Sequence, residues 1–325
     1  MARDKKPQAP NKPADKDSLE GHIEAWSDHY FLRTKKAVER FGDKAVTYAV
    51  FMRRPVIVAP RLMTEWLEAV AAERGFELDI ELNYEEGQWA GAGEPLVYIT
   101  GPMSMLVDLE TLYLQKLGAA CVAANNAFTM CVELPEVAFM AMDARHAAGT
   151  DMAEMMAYAA SVGSIAAKRQ VGAKGFIGNA TNATAHYFGN EAGLGTMPHA
   201  LIGYAGSTLK AAEMYVDTFP GEAMTVLVDF YGREVTDALT VCRRFPEMAS
   251  KGELSFRLDT HGGRFVEGLG PQESYAVLEH FAPVAVRRYR SDKELRLLTG
   301  PGVTAPAIFH FRLQPDEAGL DQLSC

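Results

Sequence analysis

Positive charge is in short supply in this sequence: 32 lysines and arginines stand against 42 aspartates and glutamates, a net charge of −10 with histidine neutral. That balance excludes an extended nucleic-acid surface, which would need a basic stripe. Cysteine is scarce as well. Cys121, Cys131, Cys242 and Cys325 show no CxxC spacing, which argues against a structural zinc site and against a disulfide framework. Reduced, mostly buried thiols in a cytoplasmic protein are the expectation. No apolar run approaches the roughly 20 residues needed to span a bilayer, so no membrane partner is expected. The charged start MARDKKPQAPNKPADKDSLEG lacks the apolar run of a secretory signal. What is present is an ordinary globular composition, 48% hydrophobic over 325 residues, enough to bury a substantial core.

Residues 1–25 are poor in groups that can be buried and are expected to form a flexible tail. From Trp26 the pattern changes. WSDHYFLRTKKAVERFG has the periodicity of an amphipathic helix, entered through Ser27 or Asp28 as its cap. KAVTYAVFMRRPVIVAP alternates and is rich in β-branched residues, which predicts one or two strands. A helix over Arg61 to Gly75, the strand FELDIEL and the strand of GEPLVYITGP follow. MSMLVDLETLYLQKLGAACVAANNAFTMCVEL predicts one long helix bridging two domains. The expected fold class is α/β. A small α+β unit with its bridging helix is expected over 26–130, and a second α/β unit over 131–325.

The second half is regular. VAFMAMDAR, AKGFIG, GLGTMPH, AMTVLVDF and ELSFRLDT read as strands, separated by helical segments such as AEMMAYAASVGSIAAKRQ and GREVTDALTVCRRF. Such alternation predicts parallel strands in an open sheet or a barrel, and in a barrel the functional residues gather at the C-terminal strand ends. Those ends carry Arg145 and His146, Gly178 to Thr181, His199, Asp229, and Arg257 with Asp259.

Each of these residues has two readings. His199 either packs at a helix start against the core or acts as a nucleophile or base. Asp229 and Asp259 either cap the following helix or face the mouth of the site and hold Mg²⁺ and hydroxyls. Arg257 and Asp259 point the same way from a strand, so the arginine pairs with Asp259 or with a ligand carboxylate; Arg145 raises the same choice. Gly175 and Gly178 let backbone N–H groups approach a phosphate, or simply serve a turn. Tyr30 and Phe31 are core aromatics on residue type alone, and His261 to Gly263 a solvent loop.

In order and spacing these motifs resemble the nicotinate phosphoribosyltransferase family, within the wider type II phosphoribosyltransferase fold, over roughly Trp26 to His310. SDHYFLRT is similar to the family's Asp-x-Tyr segment, and GEPLVYITGP with LETLYLQKL to its Gly-Glu-Pro strand and Leu-Glu-Thr-Leu helix. DARHAAGTD resembles its Ala-Arg-Arg-x-His-Gly entry, GFIGNATNA its Gly-Phe-x-Gly-Thr-Ser-Asn turn, and GTMPHA its Gly-Thr-x-x-His motif. VLVDFYG and FRLDT are similar to its Leu-Val-Asp-Thr-Tyr-Asp and Arg-Leu-Asp-Ser.

The resemblance implies a two-part fold, an N-terminal α+β sandwich over 26–130 and an irregular α/β barrel, here incomplete, over 131–325. It implies a homodimer or higher oligomer that converts nicotinate and phosphoribosyl pyrophosphate to nicotinate mononucleotide and pyrophosphate. It also implies Mg²⁺ and coupling to ATP hydrolysis. On it, His199 matches the histidine phosphorylated by ATP, and Arg257 the arginine that pairs with the pyridine carboxylate. Asp229 and Asp259 match carboxylates near the ribose and the magnesium. Tyr30 matches an aromatic that stacks on the pyridine across the dimer interface. Arg145 falls in the segment meeting the sugar phosphate, and Thr181 in the turn facing the pyridine.

The chain departs from the family pattern at His146 and Ala148, at Asn179, Ala180 and Thr181, and at Gly232. It also lacks the later glycine turns on two further strands, where TGPGV precedes the apolar AIFHF. Two alternatives follow. One is a quinolinate-type relative, which would want more basic residues; the other is a catalytically silent nucleotide-binding or regulatory homologue.

Overall fold

The computed structural model describes residues 18–260 and 266–267, together with the backbone of four short strands between 287 and 324. It divides into two units, Met1–Asn125 and Asn126–Cys325.

In the first unit, α1 (Leu19–Trp26) lies inside the stretch expected to be a tail. Ser18 caps it by accepting from the Gly21 N–H, and Ile23 is fully buried, so apolar burial offsets the ordering of this short helix. The remainder of the expected tail, 1–17, lies outside the described residues. Helix α2 (His29–Phe41) begins after Asp28, but neither expected cap serves it: Asp28 makes no side-chain cap bond, and the Ser27 hydroxyl donates to the Asp108 carbonyl.

Next come β1 (Ala45–Phe51), β2 (Val56–Ile57), α3 (Arg61–Arg74), β3 (Asp79–Leu82), β4 (Trp89–Ala90) and β5 (Pro95–Pro102). β5 is the centre of an antiparallel sheet ordered β1-β5-β3, with Ala45 opposite Pro102 and Asp79 opposite Thr100. α3 buries Met63, Leu67, Val70 and Ala71, a single face at helical spacing.

The expected single bridging helix is interrupted. α4 (Met103–Leu106) passes into a 3-10 turn, Val107–Leu109, before α5 (Glu110–Glu133) begins. The cause is Asp108: its carboxylate is drawn to Arg74 and Lys35 and its carbonyl accepts from Ser27, contacts that hold it in the tighter turn.

The second unit alternates strand and helix: β6 (Ala138–Ala141), α6 (Thr150–Val171), β7 (Gly175–Asn179), α7 (His199–Ala205), α8 (Thr208–Thr218), β8 (Met224–Leu227), α9 (Glu234–Arg244), α10 (Pro246–Lys251) and β9 (Leu254–Arg257). β6 pairs with β7 and β8 with β9, both parallel. Val226, Leu227, Leu254 and Phe256 pack with Ala211 and Ala212 of α8 and Ala238, Val241 and Cys242 of α9. Strands covered in this way carry near-continuous apolar runs, which is why the pattern was visible as short blocks.

The expected third strand, GLGTMPH, is not a strand. It threads between the two pairs and makes one backbone bond to each: Leu194 N–H to the Asn179 carbonyl at 2.7 Å, and Met197 N–H to the Thr225 carbonyl at 3.3 Å. Gly193 and Gly195 offer no side chains to pack and Pro198 no N–H, so a ladder does not form. The described strands accordingly do not close a barrel. The fold is mixed α/β, as expected.

Beyond Glu267, β10 (Arg287–Ser291) pairs with β11 (Lys293–Leu297), and β12 (Arg312–Gln314) with β13 (Gln322–Ser324), all antiparallel. The expected loop at 261–263, turn at 299–303 and apolar run at 307–311 lie outside the described residues. Among the described residues no helix is long and apolar enough to cross a membrane.

Candidate functional site

His199 is the first residue of α7, following Pro198 at the cap position, rather than the last residue of a strand. Its Nε2 lies 3.0 Å from Oδ2 of Asp229, two residues beyond the end of β8. The imidazole is 44% exposed while the carboxylate is 2% exposed, so a buried acid orients a ring that still reaches solvent. The Asp229 side chain thus meets the histidine, a contact that neither sequence reading named, and does not cap the following helix. α9 starts after Arg233 and takes no side-chain cap.

Phe230, next in the chain, lies beside the imidazole with ring centroids 6.2 Å apart. It occupies the space left by Gly203, where a Cβ would come within 3.2 Å of the phenyl ring. Residues 199 and 203 are one turn apart on the same helix face, so this glycine admits the ring next to the histidine.

Arg257 closes β9 and is 4% exposed. Its Nη2 donates to Asp259 Oδ2 at 2.5 Å and its Nη1 to Thr196 Oγ1 at 3.2 Å. Its Nε is buried with no partner among the described residues. Asp259 is thus the arginine's partner, not a helix cap. Burial lowers the Arg257 pKa and raises that of Asp259 from its ordinary value. For Asp259 the charge of Arg257 opposes the shift and that of Asp229 adds to it. Arg145 sits exposed on a 3-10 turn, Ala144–His146, after β6, and its charge acts on both Arg257 and Asp259.

His199, Asp229, Asp259, Arg257 and Arg145 therefore share one electrostatic neighbourhood. Thr181 makes its side-chain contacts within its own turn. Its hydroxyl accepts from Asn179 Nδ2 at 3.1 Å and lies 2.7 Å from that of Thr184, which ties down the turn after β7. Tyr30 belongs to the first unit, 60% exposed on the first turn of α2.

Sequence reasoning assigned no role to Thr196, Phe230 or Asn179. Thr196 was inside a quoted motif, but nothing in its type announces a bond to an arginine 61 positions away. Gly193 explains why the connecting segment can pass so near: a Cβ there would meet backbone atoms of Ala180 and Thr181 at 2.8 Å.

Among the described residues no group of three or more His, Cys, Asp and Glu could hold a metal. Asp229 and Asp259 nevertheless fit Mg²⁺ as it is bound beside phosphates, through one or two carboxylates with the remaining positions filled by water and substrate. Burial is the main cause of the raised Asp259 pKa and the charge of Asp229 adds to it, a repulsion that a cation would relieve.

No protein-family model and no curated protein sequence matches the chain. Solved structures do. The fold is shared with the type II phosphoribosyltransferases. A nicotinate-nucleotide pyrophosphorylase from Pyrococcus furiosus is 26% identical, with a TM-score of 0.61 over 76% of this chain and 60% of its own. Human nicotinic acid phosphoribosyltransferase is 18% identical, with a TM-score of 0.58 over 73% of this chain and 61% of its own. NadC from Streptococcus pyogenes is 14% identical, with a TM-score of 0.51 over 82% of this chain and 88% of its own. The chain spans less than two thirds of the length of the first two of these structures.

Proposed function

We propose that this chain is a phosphoribosyltransferase of NAD metabolism that joins nicotinate to the ribose of phosphoribosyl pyrophosphate, releasing pyrophosphate, with ATP hydrolysis coupled through a phosphorylated His199. The observation that carries the reading is the pairing of His199 with buried Asp229, electrostatically coupled to the Arg257–Asp259 pair, at the ends of parallel strands. The fold shared with phosphoribosyltransferases supports it.

Asp229 occupies Nε2, so Nδ1 is the nitrogen open to a phosphoryl group. Attack of Nδ1 on the terminal phosphorus of ATP forms the N–P bond and releases ADP. The Nε2 proton stays shared with Asp229, which stabilises the cationic ring. At the ribose, loss of pyrophosphate leaves an oxocarbenium-like carbon that the pyridine nitrogen captures, so the protein need supply no nucleophile at carbon. Asp229 and Asp259 favour that positive charge. They would also hold Mg²⁺, which would neutralise the departing pyrophosphate.

Arg257 binds the pyridine carboxylate through its unpartnered Nε, because Thr196 and Asp259 already hold the other two nitrogens. Arg145 meets the sugar phosphate. Tyr30 offers an exposed ring to the pyridine, from the partner copy of a homodimer.

Product formation tests this. Nicotinate, phosphoribosyl pyrophosphate and Mg²⁺, with and without ATP, are given to wild type and His199→Ala. Nicotinate mononucleotide whose formation ATP stimulates, with the stimulation lost in the variant, is the expected result. Product from quinolinate with release of carbon dioxide would replace the substrate. Ligand binding without any product from the folded chain would mean a silent homologue.

A further inference from the structure

Asn179 is given no ligand role by the reading above. It closes β7, is 4% exposed, and its Nδ2 donates to the hydroxyls of Thr181 and Thr184. Those contacts fix the plane of the amide. The other pole, Oδ1, is buried with no hydrogen-bond partner among the described residues. Leaving a buried acceptor without a donor is unfavourable, and any donor brought to it recovers that free energy.

The placement is informative. The backbone carbonyl of Asn179 accepts from Leu194 N–H at 2.7 Å, and two residues later Thr196 accepts from Arg257 Nη1 at 3.2 Å. Residues 194–196 are thus pinned at one end by Asn179 and at the other by Arg257, whose buried Nε is likewise without a partner. Asn179 and Arg257 close β7 and β9, one strand from each of the two parallel pairs, and the C-terminal strand ends are where ligands meet parallel α/β layers.

We propose that Asn179 is a ligand-contacting residue of this site, whose Oδ1 accepts a hydrogen bond from a ribose hydroxyl of the phosphoribosyl ligand. The inference rests on the phosphoribosyltransferase reading. Its logic is donor against acceptor. A pyridine carboxylate, a pyridine nitrogen and ionised phosphates all present acceptors, which an amide oxygen cannot satisfy. The sugar hydroxyls are the donors such a ligand carries.

The test is a cycle between residue and ligand, read by calorimetric binding of ribose 5-phosphate and its 2-deoxy and 3-deoxy forms. In wild type, removing the contacted hydroxyl weakens binding about tenfold, the usual size for one hydrogen bond to a buried group. In Asn179→Leu, ribose 5-phosphate itself binds about tenfold more weakly and removal of the same hydroxyl changes little further. Asn179→Asp keeps an acceptor toward the ligand and toward both threonine hydroxyls. There the hydroxyl's contribution grows, because an ionised acceptor makes the stronger bond.

A hydroxyl penalty that is the same in wild type and Asn179→Leu overturns the proposal while leaving the phosphoribosyltransferase reading standing. Should Asn179→Leu not fold, an unchanged penalty in Asn179→Asp overturns it equally. If folded wild type binds neither ribose 5-phosphate nor phosphoribosyl pyrophosphate, the underlying reading fails and this inference falls with it.

Discussion

Gly175 opens β7 at φ +64°, and a Cβ there would come within 2.3 Å of Ser164 Oγ. That hydroxyl is not free to move away, since it accepts the Phe176 N–H at 2.8 Å. Gly172, three residues earlier, has a similar φ of +70° but nothing within 4 Å of the position a Cβ would take. The pair separates backbone strain from steric conflict. Gly172→Ala should cost about 1 kcal/mol, the typical price of a left-handed alanine, while Gly175→Ala should cost about 2–4 kcal/mol because both effects act. Thermal denaturation decides it, and equal losses for the two variants would show that the Ser164 contact relaxes without penalty.

Among groups of elements, an ionic device stands out in the first unit, where Asp108 ties three helices together. Its carboxylate accepts from Lys35 of α2 at 2.7 Å and from Arg74 of α3 at 2.8 and 2.9 Å. The same guanidinium reaches Glu20 of α1 at 2.7 Å. Burial pushes the Asp108 pKa up, but the bonds and charges of Arg74 and Lys35 outweigh it, and the net direction is below the ordinary 3.8. A depressed carboxylate stabilises the fold fully above its unfolded value and loses that contribution as pH falls through the folded one. Stability should therefore hold down to about pH 4 and decline below it. Asp108→Asn should remove about 1–3 kcal/mol at pH 7, because Arg74 and Lys35 lose their buried counter-charge and Arg74 keeps only Glu20, and should flatten the acid limb. Urea titrations from pH 2 to 7 measure both; an acid limb of unchanged steepness in the variant would assign it to other groups.

The same elements show how far the sequence could be followed. The blocks that became β6 to β9 and α6 and α9 were legible, because buried parallel strands are apolar along their length and their helices are amphipathic. GLGTMPH misled because it falls where the regular strand–helix alternation calls for a strand, while its glycines and proline decide the outcome. The break at Asp108 was not visible, since its cause lies in partners up to 81 residues away. At the site, residue types and their order were legible. The pairings were not: His199 meets Asp229 across 30 positions and Arg257 meets Thr196 across 61, distances that only the folded chain closes.

For the molecule as a whole, the proposed substrates pose an electrostatic problem. The chain carries a net charge of −10, yet phosphoribosyl pyrophosphate is strongly anionic. Two fields act on the approaching ligand, and they differ in range. The net charge repels it from far away, whereas Arg145 and Arg257 attract it close to the site. Salt separates these contributions, because the Debye length falls from about 30 Å at 0.01 M to about 8 Å at 0.15 M. At the lower ionic strength the ligand senses the whole acidic molecule; at the higher one it senses mainly the local arginines. The association rate of phosphoribosyl pyrophosphate should thus rise between 0.01 and 0.15 M salt, opposite to the behaviour of an electrostatically steered pair. Arg145→Ala should lower the rate at both ionic strengths, because it removes the local attraction and leaves the repulsion in place. Stopped-flow binding measures this directly. A rate that falls steeply with salt in wild type would mean that the site's own positive field outreaches the acidic surface, and the net charge would then have no bearing on capture of the substrate.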